Sequence, residues 1–349
     1  MKHIAALDGV RGFAVIVVML AHFGLSSFAG GGLGVDVFFV LSGYLITSIL
    51  YAEITKTGSL DVRRFFAKRA RRLLPALAIA LVLGSLLTLA FSPPAEVARL
   101  PMNVVAAGLF FMDFHVAARE HVSETGMLGH TWSLAVEEHF YMLWPALLLA
   151  AFKARSLLTG LVLAWVLATV YYASGQIAGV PADVLHFRTD YRLSGLMLGS
   201  ALAVFLARGG RFERAGLYGM ALAPVIVFML MRPSEAVILK HALTEIFTAL
   251  VIFAIVQGDK LWSVLLSWRF LTYAGQISYG LYLYHKILVR ALWQADMSLL
   301  LGLPLSLMLA VASFHLIERP ILRSGKKRSG KAHVATSMIP VADKSANVQ

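Results

Sequence analysis

Long apolar runs alternate with short polar breaks along almost the whole chain. A helix rising 1.5 Å per residue needs about 20 apolar residues to cross a ~30 Å hydrocarbon core. Ten segments reach or approach that length: residues 10–27, 33–51, 74–91, 136–153, 156–173, 193–208, 215–231, 240–257, 276–295 and 298–318. A further apolar stretch, Val104 to Met112, is too short to cross and is read as re-entrant or interfacial. The longest polar interval, Ser92 to Thr131, is loop-sized. The expected fold class is all-α, a polytopic transmembrane helical bundle of about ten spans over residues 1–323. Residues 324–349 are Lys-, Ser- and Ala-rich and are expected to form a disordered tail.

Composition agrees. The 349 residues are 59% hydrophobic and 14% charged, where soluble domains run near half apolar and a quarter charged. There is no cysteine, which excludes a disulfide framework, a thiolate nucleophile and a thiolate metal site. No Gly-rich phosphate loop or dinucleotide fingerprint is present, and no metal site is expected. A net charge of +12 invites a nucleic-acid reading, but its distribution points to the lipid bilayer instead. With the N-terminus inside, 22 Lys and Arg fall in cytoplasmic segments and 6 in external ones. That bias places both termini in the cytoplasm. Lys2, the apolar run after it and Ser27-Phe28-Ala29 also fit a cleavable signal peptide. Retention is favoured, because cleavage would remove the His of the first span.

Ionisable residues inside such segments are expensive and face a partner, a cavity or a reaction path. Arg11 and His22 lie in the first span. Eleven residues apart, they share a helical face about 16 Å apart along the axis. Asp36 opens the second span after the glycine-rich Gly30-Gly31-Gly32-Leu33-Gly34. It is either a helix N-terminal carboxylate or the group that orients His22. Glu137 and Glu138 enter the fourth span about 100° apart, with Tyr141 one turn on. They are first-turn interface residues, or one is a buried acid, base or anionic partner of Arg11 or His22. The loop from Arg63 to Pro75 holds Arg69, Arg71 and Arg72. It serves as a positive-inside anchor or as a phosphate grip. Ser278, Tyr282 and His285 line one face of the ninth span, with Lys286 beside them. His285 reads as a structural hydrogen-bonder, Lys286 as a buried cation, and Glu318 and Arg319 as interface anchors.

Five strings, taken together and in order, resemble the acyltransferase-3 family of integral membrane O-acyltransferases. They are Leu7-Asp8-Gly9-Val10-Arg11-Gly12-Phe13-Ala14 with His22, Gly34 through Tyr44, Arg69-Ala70-Arg71-Arg72-Leu73-Leu74-Pro75, Thr131-Trp132-Ser133-Leu134-Ala135-Val136-Glu137-Glu138, and Ser278-Tyr279 through His285. Glu318-Arg319-Pro320 closes the pattern. Asp8, Trp132 and Ser133 become candidates through these strings. His139 stands where the family commonly has Gln, and Lys286-Ile287 where it has an aromatic residue and Pro.

The resemblance implies ten spans in a bacterial inner membrane and a cytoplasmic acyl-CoA, by default acetyl-CoA, as co-substrate rather than as a tightly bound cofactor. The acceptor would be a hydroxyl on a carbohydrate, a lipid-linked glycan or another small molecule. It also implies roles for Arg11, His22 and the Arg69–Arg72 pair. His22 is then the expected base, with Asp36 or a glutamate of the 137–138 pair holding its tautomer. Arg11 is expected to guide the pantetheine arm or the donor phosphate, and Arg69, Arg71 and Arg72 to grip the phosphates of CoA. The alternative from another class is a transporter or channel using intramembrane His, Arg and Glu as a relay. No inverted repeat supports it.

Overall fold

A computed structural model describes residues 3–119, 122–231 and 237–324; the expected tail from residue 325 onward lies outside the described residues. Every regular element among them is helical. In chain order these are α1 (Ala5–His22), α2 (Gly34–Thr57), α3 (Val62–Phe91), α4 (Pro94–Gly108), α5 (Met112–Ala117), α6 (Trp132–Ala151), α7 (Leu157–Ile177), α8 (Ala182–Phe187), α9 (Ser194–Ala207), α10 (Ala215–Met231), α11 (Val237–Val256), α12 (Lys260–Leu266), α13 (Arg269–Gln276), α14 (Ser278–Gln294) and α15 (Gly302–Ser313). A π-helical turn, Phe314–Glu318, continues α15 toward residue 324.

Each of the ten expected segments falls on a helix. Among the described residues, six helical stretches are long and apolar enough to cross a membrane: Ala5–His22, Gly31–Thr57, Val62–Phe91, Leu157–Ile177, Leu239–Val256 and Leu299–Ser324. α9 and α10 are apolar but shorter, at 14 and 17 residues, while α6 and α14 carry the polar residues of the candidate site.

The structure corrects the sequence reading in three places. The basic segment from Arg63 to Pro75 is not a loop but the first half of α3. Gly58, at φ 70°, ends α2 in the left-handed conformation, and the Asp61 carboxylate accepts from the Arg64 N–H at 2.9 Å to start α3. Arg and Lys are good helix formers, and α3 runs on from them through Pro75 to Phe91. The interval 92–131 is likewise built, from α4, α5 and a 3-10 stretch (Val122–Thr131). Within it, Val104 to Met112 forms the end of α4 and the turn into α5, which passes through Phe110 at φ 55°. Finally, Glu318 is not an interface anchor. It is buried and accepts from the Ser313 hydroxyl at 2.7 Å, which in turn accepts from Tyr284 at 2.8 Å.

Helix packing relies on bare backbone, as expected where apolar side chains gain nothing by leaving lipid. A Cβ at Gly9 would lie 1.7 Å from the Leu266 carbonyl oxygen, and one at Gly275 1.8 Å from that of Asp8. The same contact binds α2 to α9: a Cβ at Gly43 would sit 2.2 Å from the Leu196 oxygen, and one at Gly199 2.0 Å from that of Val40. α1 is therefore integral to the core; Ala14, Val15 and Val18 are fully buried. The outer faces of α3, α7, α10 and α15 expose Val82, Leu86, Leu167, Leu217 and Met308. Apolar exposure on that scale requires a hydrocarbon environment; the protein is a multi-pass membrane protein.

Contacts give the helix directions. Arg11 reaches Ser278 and His22 reaches His285, so α1 and α14 run parallel. Phe39 meets Trp132, Ser42 meets Glu137 and Thr47 meets Trp144, so α2 and α6 run parallel too. α2 lies antiparallel to α1, since Gly34 packs on Ala14 and Val18 while Phe38 packs under Arg11.

Candidate active site

A cavity of about 360 Å³ lies where α1, α2, α3, α6 and α14 converge, at the lower end of the range for ligand pockets. It extends from His3 and Ile4 at the start of α1 to Ser133 and Tyr282 deep in the bundle. Three cations, Arg11, Arg69 and Arg72, line it together with the carboxylates of Asp8 and Glu137. Arg69 and Arg72 share a face of α3 at i,i+3. Arg71 points elsewhere and is not part of the lining, so the structure separates it from the other two.

Hydrogen bonds fix the cavity walls. The Ser42 hydroxyl donates to Glu137, and the Arg11 Nε–H points at the Ser278 hydroxyl at 3.4 Å. The Arg69 guanidinium lies 3.7 Å over the Tyr141 ring and 3.8 Å from Glu138. Glu137 thus faces the cavity and Glu138 pairs with its rim arginine, which is the ~100° divergence expected of adjacent helical residues. Asp8 also bonds His3 at 2.7 Å. At the deep end, Tyr282 and Ser133 share a hydrogen bond of 2.6 Å, and Tyr282 donates to the His130 carbonyl at 3.0 Å.

His22 lies beyond that partition, at the far end of α1. Its ring partner is His285, with Nδ1 of His22 3.1 Å from Nε2 of His285. The His130 ring packs against His285 at 5.9 Å, and that of Tyr282 at 5.6 Å. Lys286 follows His285 on α14 and is half-buried. Among the described residues, no group of three or more His, Asp or Glu side chains is arranged to hold a metal ion.

Asp36 is placed elsewhere. It does not orient His22; its carboxylate is held by Arg192 at 2.7 Å and by the His241 N–H at 2.8 Å. Asp36 and Arg192 are 1% and 3% exposed, so this is a fully desolvated ion pair. Trp132 covers it, 6.2 Å from Phe39 and 5.1 Å from His186. On the connecting helix α8, burial, Arg192 and His241 together push the His186 imidazole down to about 3, so it stays neutral beside the pair. Next to this cluster Glu245 accepts from Ser194 at 2.5 Å and from the Trp165 indole at 2.9 Å.

Sequence reasoning missed Arg192, His241, His186 and Glu245 in that cluster, and Ser42 and His130 around the candidate site. Arg192 sits just before an apolar run, where an interface anchor and a buried cation look alike in one dimension. Ser42 lay within a recognised string and His130 immediately before one, but neither carries a charge signal of its own.

Residues 4–317 match the profile of the acyltransferase-3 family, described as an acyltransferase domain, and the chain belongs to that family. It is 29% identical to the O-acetyltransferase OatA of Staphylococcus aureus (strain NCTC 8325 / PS 47), over 93% of this chain and 58% of that protein. It is 29% identical to the peptidoglycan O-acetyltransferase OatA of Listeria monocytogenes, over 93% of this chain and 56% of that protein. To the putative peptidoglycan O-acetyltransferase YrhL of Bacillus subtilis it is 30% identical, over 93% and 56%. The chain thus spans less than three-fifths of the length of these relatives. No solved structure matches it.

Proposed function

We propose that the chain is an O-acyltransferase of the bacterial plasma membrane. It moves an acyl group, acetyl by default, from cytoplasmic acyl-CoA to a hydroxyl of a cell-envelope glycan of the peptidoglycan kind. The observation that carries this is the cavity lined by Arg11, Arg69 and Arg72, which runs from the start of α1 to Tyr282. Three cations around an elongated, mostly apolar channel suit a donor with phosphates at one end and a thin acyl-bearing arm at the other. The helix directions support ten crossings with both termini cytoplasmic, since alternating passage makes α1, α3 and α14 enter from the face on which the basic residues crowd. The names of the relatives support the glycan acceptor.

The chemistry follows from the placement of groups. The acceptor hydroxyl gives its proton to the His22 ring, and its oxygen attacks the thioester carbonyl. The C–S bond breaks, the sulfur leaves with the electron pair, and the proton passes from His22 to the departing thiolate. Arg69 and Arg72 bind donor phosphates, and Arg11 holds the donor arm one helical stretch below the base. Ser133 and Tyr282 stand between the donor cavity and His22, so their hydrogen bond must open for the acyl group to arrive.

The test is acyl-CoA-dependent acylation by the purified chain in proteoliposomes. His22→Ala should reduce turnover at least 100-fold, within the range removed with an acid–base group, and Arg11→Ala should reduce acylation by releasing the donor arm. Full activity in correctly inserted variants would refute the assignment. Labelled donor also separates transferase from carrier, because a carrier leaves the acceptor unmodified.

A further inference from the structure

We propose that His285 is a positioning residue that fixes His22 in the tautomer carrying its proton on Nδ1, so that Nε2 presents the basic lone pair. The use made of that lone pair rests on the transferase reading above; the tautomer rests on geometry alone.

Carbonyl oxygens only accept hydrogen bonds. Nδ1 of His285 lies 2.7 Å from the Tyr282 carbonyl oxygen and 3.1 Å from that of Leu281, both in its own helix. Nδ1 of His285 therefore carries a proton, and in a neutral ring Nε2 is then the acceptor. Nε2 faces Nδ1 of His22 at 3.1 Å. Two lone pairs cannot bond, so His22 must donate there, and its proton sits on Nδ1. Nε2 of His22 is then left as the acceptor.

The surroundings hold this arrangement in place. His285 is fully buried, and its ring cannot turn without losing two carbonyl contacts. His130 faces the pair from the 3-10 stretch, its own Nε2 donating to the Leu283 carbonyl at 2.9 Å. Lys286 and Tyr282 approach from α14, and Tyr282 donates to a backbone oxygen. Among the described residues, these are the titratable groups around the pair. None of the three accepts from His22 in the structure, which leaves His285 as its side-chain acceptor. In a Ser-His-Asp triad a carboxylate fills this place. A neutral imidazole sets the same tautomer and, once His22 gains the acceptor's proton at Nε2, still accepts from the resulting imidazolium.

The experiment is ¹⁵N NMR of histidine-labelled protein in bilayers, with His22 assigned by its loss in His22→Gln, alongside kinetics of position-285 variants. In the wild-type chain, His22 should show a protonated Nδ1 and an unprotonated Nε2. Glutamine places an amide oxygen where Nε2 of His285 stood, so His285→Gln should keep kcat within about 10-fold and preserve the tautomer. His285→Leu should lower kcat about 10- to 100-fold with donor KM unchanged, and mix the His22 tautomers. A wild-type spectrum with the His22 proton on Nε2 overturns the proposal without any variant having to fold. So does a folded, active His285→Leu enzyme with wild-type kcat. A wild-type chain that shows the Nδ1 proton but transfers no acyl group overturns the transferase reading and the base role with it, while the tautomer assignment stands.

Discussion

Removing the Asp36 carboxylate should destabilise the fold rather than the chemistry. Asp36→Leu strands the Arg192 guanidinium, which is 3% exposed and has its Nη2 donor 2.7 Å from the lost oxygen. Breaking a buried pair by deleting one partner costs about 3–5 kcal/mol, because the survivor is charged, desolvated and unpaired. Replacing both charges should be far milder, since apolar substitutes for a buried pair are often neutral or stabilising. We therefore expect Asp36→Leu to lower stability by about 3–5 kcal/mol and the Asp36→Leu/Arg192→Met double variant to regain most of that. Titration with SDS in mixed micelles measures both, and acylation in proteoliposomes measures what remains of function. The double variant should recover activity along with stability. An Asp36→Leu protein as stable as the wild type would refute the ion-pair reasoning. A stable but inactive double variant would return Asp36 or Arg192 to the reaction itself.

Two further outcomes follow from the same geometry. Arg69→Ala with Arg72→Ala should raise the donor KM about 10- to 100-fold, as loss of charge-assisted hydrogen bonds worth about 1.5–3 kcal/mol requires, whereas Arg71→Ala, off the cavity face, should stay within about twofold; steady-state kinetics over a range of donor concentrations checks both. Gly199→Ala should cost about 1–3 kcal/mol by pushing α9 off the Val40 carbonyl, while Gly160→Ala, which meets nothing within 4 Å, should be neutral or slightly stabilising when compared by SDS titration.

Local information settled much of this protein. Apolar runs of a fixed length and a lopsided distribution of Lys and Arg specify membrane helices, because the bilayer imposes both a thickness and a charge bias on any chain crossing it. The family strings likewise picked out Arg11, Arg69, Arg72, Glu137, Ser278 and Tyr282, and helical spacing picked out Tyr141; the fold gathers all of them around one cavity. Adjacent glutamates had to diverge by helical geometry, and they do.

Only the tertiary structure decided who meets whom. Asp36 follows His22 by only 14 residues in the chain, yet its carboxylate is claimed by Arg192 and His241, 156 and 205 positions away. His22 is met instead by His285, 263 positions on. The split of the basic cluster into Arg69 and Arg72 against Arg71 needed α3 to be a helix at that point, which apolar patterning could not reveal in a charged segment. A buried charge must find its partner in three dimensions, and the glycines that let α2 slide against α9 and α1 against α13 determine which partner comes within reach.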